Sequence, residues 1–230
     1  LNNRVTKVLN SVEKIIANSN YTKNLAISLG VEQSKIIVIN PGVEPAKELN
    51  EKSLEKVESL LKIKTPRLIT VSRLDKRKNH EKIIMALRNL KQKYPDIVYI
   101  CIGYGDEEEN IKQLVKELNL TSQVMFFKDI SDDLKNALIA KSNIFVMPSI
   151  IHKKSVEGFG IAYVEAAQYG VPSLGGKDGG ASDAIDHNKT GLICDGNNLE
   201  DIYSSLNSMI ENKKYLEFGK NAKDYASKFQ

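Results

Sequence analysis

Tryptophan is absent from the 230 residues, and cysteine, histidine and proline are scarce. Each scarcity excludes something. Cys101 and Cys194 are too few and too far apart for a disulfide framework or a zinc site, which makes a reducing cytoplasm the simplest setting. His80, His152 and His187 are scattered, without the spacing of a metal site or a nucleophile–base pair. The longest apolar runs, such as Arg67-Leu68-Ile69-Thr70-Val71, are of strand length, far from the roughly 20 residues needed to span a bilayer. No signal-peptide pattern is visible. Charge of one sign is barely in excess, at +4. Nucleic-acid binders are usually more basic, with aromatics interleaved on a sheet, so no nucleic-acid partner is expected. A mild positive balance suits an anionic small ligand or an acidic membrane face. No Gly-x-Ser-x-Gly elbow, Walker sequence or Asp-x-Asp metal motif occurs.

What is present is an alternation of short β-branched runs with amphipathic stretches, the βαβα pattern of a mostly parallel sheet covered by helices on both faces. The runs predict strands at Lys14–Ala17, Ile36–Ile39, Arg67–Ser72, Ile97–Ile102, Val124–Phe127, Ile144–Met147, Val171–Leu174 and Gly191–Cys194. Helices are expected at Glu48–Leu61, 79–93, 107–119, 131–141, 160–169, 198–211 and 213–228. The turn cluster Asn40-Pro41-Gly42-Val43-Glu44-Pro45 suggests a boundary, with 1–45 too short for a core of its own and 46–230 carrying the main α/β domain. Residues 1–45 are then either a peripheral extension or the tail of a preceding domain.

Three loops carry candidate chemistry. In Ser72-Arg73-Leu74-Asp75-Lys76-Arg77-Lys78-Asn79 a buried strand runs into a basic loop. Ligands of open α/β sheets sit off the carboxyl ends of strands, where Arg offers a planar fork and Lys a point charge to phosphate. Alone, this is equally a solvated loop. After Pro148-Ser149 comes Glu157-Gly158-Phe159-Gly160-Ile161, with Glu165 on the second turn of the ensuing helix. The glycines admit a close ligand, the helix start favours an anion, and Glu165 suits a pair of sugar or ribose hydroxyls. The bland alternative makes Glu157 a dipole partner and Glu165 a surface residue. The third loop holds Gly175, Gly176, Gly179 and Gly180, with amides for a phosphate or a sugar hydroxyl, or else it is a flexible surface turn. Gly103-Tyr104-Gly105-Asp106 reads by itself as a tight βα turn.

In this order the pieces resemble the donor-binding domain of the retaining glycosyltransferases of family 4 (group 1), with the GT-B fold. The resemblance rests on Ser72-Arg73-Leu74 to Lys78, Gly103-Tyr104-Gly105, Met147-Pro148-Ser149, Glu157-Gly158-Phe159-Gly160 with Glu165-Ala166, Tyr169-Gly170-Val171-Pro172, Gly179-Gly180 and Thr190-Gly191-Leu192. It implies a UDP- or GDP-sugar donor, a glycan or lipid acceptor, transfer of a hexosyl group with retention, and no cofactor or metal. Arg73 and Lys78 would clamp the diphosphate, and Glu157 would contact sugar hydroxyls. Gly158, Phe159, Gly160 and Ile161 would lie against sugar and phosphate, and Glu165 would take the ribose. Lys128 (where the family usually has glycine) and Ile130 would flank the base, with Gly103 nearby. Asp183 stands where many members carry Glu. The spacer Ile150–Val156 and the turn around Asp183 are similar to members that use GDP-mannose. Residues 12–43 resemble the last βαβ piece of the acceptor-binding domain, so the chain is expected to bind donor and, alone, not to transfer. A cytoplasmic place, including the inner membrane face, goes with this. A non-catalytic binding protein of the same fold, a phosphorylase and a sugar-nucleotide epimerase are the competing readings.

Overall fold

The computed structural model describes residues 2–62 and 64–230, the side chains of Asn2 and Asn3 excepted. Two sheets are present among them. The first pairs β1 (Ile15–Ala17) in parallel with β2 (Ile36–Val38), flanked by α1 (Asn2–Ser11) and α2 (Asn20–Ser28). Its buried apolar cluster consists of Ala17, Val31 and Ile36, small as the length of this region demands.

The second sheet has six parallel strands: β3 (Arg67–Val71), β4 (Val98–Ile102), β5 (Val124–Phe127), β6 (Ile144–Met147), β7 (Ser173–Gly176) and β8 (Gly191–Cys194). Their order is β5-β4-β3-β6-β7-β8, that of a Rossmann sheet, in which the chain first winds outward from β3 and then returns to its other side at β6. Both faces are buried, which is why the strands read as unbroken apolar runs. On one face Ile69, Val98, Ile100, Phe145 and Met147 pack with Val57 and Leu61 of α3 (Glu51–Leu61), Leu138 of α6 (Asp132–Ala140) and Tyr163 and Val164 of α7 (Ile161–Gln168). On the other, Leu68, Tyr99, Cys101, Ile144, Val146 and Leu174 meet Ile83, Ile84 and Leu87 of α4 (His80–Lys93), Ile111 of α5 (Glu108–Glu117) and Ile202 and Leu206 of α9 (Leu199–Ile210). The short α8 (Ala181–Ala184) and the long α10 (Lys214–Ala226) complete the set; Phe218 and Ala222 of α10 belong to different faces.

One strand departs from expectation. β7 runs Ser173–Gly176 rather than Val171–Leu174. Pro172 has no N–H to give, and its carbonyl receives the Phe145 amide at 2.9 Å at the strand's entrance. Gly175 and Gly176, expected in a loop, instead pair with Met147, Ile193 and Cys194.

A polar chain crosses the apolar sheet. His80 Nδ1 lies 2.8 Å from the Tyr99 hydroxyl, which donates to Thr70 Oγ1 at 2.9 Å, and Thr70 donates to the Val146 carbonyl. This accounts for a threonine at 0% exposure within β3. Burial, above all, lowers the His80 imidazole from 6.5 to about 4. The folded protein then holds fewer protons than the unfolded chain between those pH values, so stability rises with pH across that window and is lost as pH falls through it. The full effect is about 3 kcal/mol. Acidification from neutrality to about pH 4.5 is expected to lower the melting temperature reversibly, and His80→Gln to flatten that limb; an unchanged limb in the variant would assign the acid sensitivity elsewhere. Burial likewise pushes the Cys101 and Cys194 thiols up to about 12, which leaves them unreactive near neutral pH.

Candidate functional site

The winding reverses between β3 and β6, and a crevice opens where the loops that leave their carboxyl ends diverge. The β3 loop is fixed before any side chain reaches the crevice. Asp75 caps a single 3₁₀ turn, Lys76–Lys78, by accepting the Lys78 amide at 3.1 Å. Asn79 follows at φ 64, a left-handed conformation suited to Asn. Its amide nitrogen donates to the carbonyls of Pro148 at 2.9 Å and Gly196 at 2.8 Å, tying the turn to the ends of β6 and β8.

This turn delivers two cations to one acceptor. Lys78 Nζ and Arg77 Nη1 both donate to Oε2 of Glu157, the arginine at 2.8 Å. All three side chains are only 11–13% exposed. Burial chiefly lowers the Lys78 ammonium pKa, with the Glu157 carboxylate opposing. Glu157 is held in turn by the glycine-rich loop: Gly180 donates its amide to the Glu157 carbonyl at 2.8 Å, and Glu157 forms a β-bridge with Gly179. The third candidate loop thus supports the second.

The crevice is lined by Lys78, Met147, Glu157, Gly158, Phe159, Gly160, Ile161 and Glu165, with Asn18 and Pro41 from the N-terminal region. Six of the expected donor residues therefore converge with Lys78: Glu157, Gly158, Phe159, Gly160, Ile161 and Glu165. The Phe159 ring, however, is core, 2% exposed and 5.5 Å from Phe229, so this position offers the crevice backbone. Glu165 also faces a second groove, shared with Asp132, Lys135 and the 42–47 linker, that meets the crevice at Ile161.

The remaining expected residues lie outside this convergence. Arg73 is 74% exposed and pairs with Asp75 at 3.1 Å rather than with Glu157. Gly103 sits at φ +140, and a Cβ there would meet the Ser72 carbonyl oxygen at 1.9 Å, so its need for glycine comes from the close passage of the β3 and β4 exits. Lys128 stands over the Tyr104 ring at 5.5 Å, and Ile130 is half-buried against the core.

Arg77, which stands in the candidate basic loop without a role of its own, Asn18 and the role of Asp183 are not legible as site features in the sequence. Asp183 Oδ2 accepts from the Asn20 backbone amide at 2.8 Å, Asn20 Nδ2 at 2.9 Å and Asn40 Nδ2 at 3.2 Å. It thereby fastens the N-terminal region, at the start of α2, beside the crevice that Asn18 lines. Contacts 143 and 163 residues apart leave no local pattern to read. Asp183→Ala is expected to speed amide exchange in 15–40 severalfold while β3 and β4 stay protected; equal exchange in both proteins would show that Asp183 does no fastening.

Among the described residues no helix is long and apolar enough to cross a membrane.

The family described as "Glycosyl transferases group 1" matches residues 51–225. A GDP-mannose-dependent alpha-(1-6)-phosphatidylinositol monomannoside mannosyltransferase of Mycolicibacterium smegmatis is 31% identical over 147 residues, 63% of this chain and 38% of that protein. The amylovoran biosynthesis glycosyltransferase AmsK of Erwinia amylovora is 30% identical over 184 residues, 79% of this chain and 43% of its own. The chain thus spans less than half the length of these relatives. Among solved structures, Anabaena Alr3699/HepE in complex with UDP and glucose shares the fold, with a TM-score of 0.83 at 22% identity over 99% of this chain and 62% of that one. The sheet order, the crevice and the match across 51–225 lead to one assignment: the chain belongs to the group 1 glycosyl transferases, with the Rossmann-like architecture of a GT-B domain.

Proposed function

We propose that the crevice at the switch point binds a nucleoside diphosphate hexose, and that the protein transfers the hexosyl group to a glycan or lipid acceptor with retention of anomeric configuration. The observation that carries this reading is the meeting of Lys78 and Glu157 beneath the N-terminus of α7, off the carboxyl ends of β3 and β6. Breaking the anomeric C–O bond builds negative charge on the diphosphate. Cations fixed in a partly dehydrated crevice stabilise that charge more than they stabilise the ground state.

The roles follow the positions. Lys78 reaches the diphosphate, and Arg73, exposed and paired with Asp75, swings over to join it. The free oxygen of Glu157 accepts sugar hydroxyls, the α7 N-terminus faces phosphate, and Glu165 accepts the ribose hydroxyls. Lys128, with Gly103 and Ile130, borders the base. Fixed cations fill the part a divalent metal plays elsewhere, so donor binding is metal-independent and needs no cofactor. The mannosyltransferase relative supports GDP-mannose as donor, and HepE with UDP supports a uridine donor. Residues 1–45 belong with the acceptor-side domain, and 46–230 form the donor domain. By itself the 230-residue chain binds donor without transfer. The enzyme works in the cytoplasm or at the inner membrane face on its acceptor.

A thermal-shift panel with EDTA present tests the reading. GDP-mannose or UDP-glucose should raise the melting temperature, and Glu165→Ala should remove the rise. No shift with any nucleoside diphosphate sugar sinks it.

A further inference from the structure

We propose that Arg77 is a positioning residue, the fixed counter-charge that holds Glu157 in place when Lys78 turns to the diphosphate. This rests on the donor-binding reading above, in whose scheme Arg77 has no part.

Two cations share a single carboxylate oxygen, and they differ in what else they are tied to. Lys78 is a compact charge on an unbranched four-carbon stem, bonded through Nζ alone to Glu157 and, at 3.4 Å, to Met147 Sδ, so it can turn to a stronger anion without moving its backbone. Arg77 is anchored at both ends. Its carbonyl accepts the Ile150 amide at 2.9 Å, which joins its backbone to the loop after β6. Its planar guanidinium directs Nη1 to Glu157 at 2.8 Å, while Nη2 lies 3.9 Å from Asp75. The charge count shows why one cation is insufficient. A diphosphate entering the crevice draws the Lys78 ammonium toward itself. Were Lys78 the sole partner of Glu157, a carboxylate only 13% exposed would lose its counter-ion beside the phosphates. An uncompensated, half-buried carboxylate repels the ligand and swings away from it. With Arg77 on Oε2, the carboxylate keeps a partner throughout, and Oε1 stays aimed at the sugar. Arg77 thus acts through Glu157, and its effect should exist only while Glu157 carries charge.

The test is a double-mutant cycle read by calorimetric titration of the 230-residue chain with GDP-mannose, GDP, UDP-glucose and UDP. Wild type should bind at least one nucleotide sugar more tightly than its nucleoside diphosphate. Arg77→Gln should weaken that nucleotide sugar by about tenfold or more, as expected when one partner of a buried pair is removed. Arg77→Lys should recover most of the loss. In a Glu157→Gln background Arg77→Gln should cost less than about twofold, because the two changes are not independent. Wild-type affinity in Arg77→Gln, or the same loss in both backgrounds, overturns the proposal and leaves donor binding standing. No binding by wild type overturns the donor-binding reading itself. Circular dichroism of each variant separates unfolding from lost affinity, and the folded Arg77→Lys variant decides the matter if Arg77→Gln unfolds.

Discussion

Under the proposed transfer, Lys78→Ala is expected to lower kcat by about two to three orders of magnitude, the loss that follows when one donor is withdrawn from a developing oxyanion. That factor corresponds to about 2.7–4 kcal/mol of transition-state stabilisation. Nothing nearby replaces the group. Arg77 is committed to Glu157, and Arg73, highly exposed and paired with Asp75, serves the diphosphate beside Lys78 rather than in its place. The ammonium is also costly to bury, which lowers its pKa, and Glu157, with a smaller part from Asp75, offsets that cost, as would an incoming anion. The fold should tolerate the change, since the Asn79 side chain still ties the turn to the carbonyls of Pro148 and Gly196, and Lys78 gives up only its bonds to Glu157 and to Met147 Sδ. Steady-state kinetics beside a melting curve check this: a variant with nearly full kcat would remove Lys78 from the chemistry, whatever its stability.

Gly160→Ala is the second large effect, and it acts through the backbone. Gly160 caps α7 at φ +94, and a Cβ there would lie 2.3 Å from Cε2 of Tyr163. That ring cannot yield. It is 1% exposed, stands edge-on to Phe145 at 5.7 Å, and its hydroxyl donates to the Met147 carbonyl at 2.6 Å. Left-handed strain and overpacking together should cost about 3 kcal/mol or more. For a chain of this size that is a fall of roughly 6–12 °C in melting temperature. Because Gly160 and Met147 both line the crevice, nucleotide binding should fall with it. A variant that melts within a degree of wild type would show that the α7 entrance is looser than its contacts imply.

The sequence made some levels of this structure readable and concealed others. Strands β4 and β6 were plain because burial on both faces leaves Val98–Ile102 and Ile144–Met147 wholly apolar. β7 was displaced because its last two residues are glycines, whose strand role depends on the passage of the Ser149 backbone close to Gly176. In the site, Glu157 and Lys78 are legible because each lies in the loop that leaves a buried strand, next to a glycine pair or a basic run. Arg77 is not. A run of three cations gives no sign of which ones face inward, and that depends on a 3₁₀ turn and its Asp75 cap. Asp183 was noticed as a substitution for Glu, yet its partners Asn20 and Asn40 lie in another part of the chain, beyond any local pattern.

The most direct test of the central claim is a crystal structure of the chain soaked with GDP or UDP in the presence of EDTA. The account predicts the diphosphate between the β3 and β6 loops, with an oxygen within hydrogen-bonding distance of Lys78 Nζ, the ribose at Glu165 and Arg77 still on Glu157. A nucleotide bound in another groove, or a diphosphate held without Lys78, would contradict it.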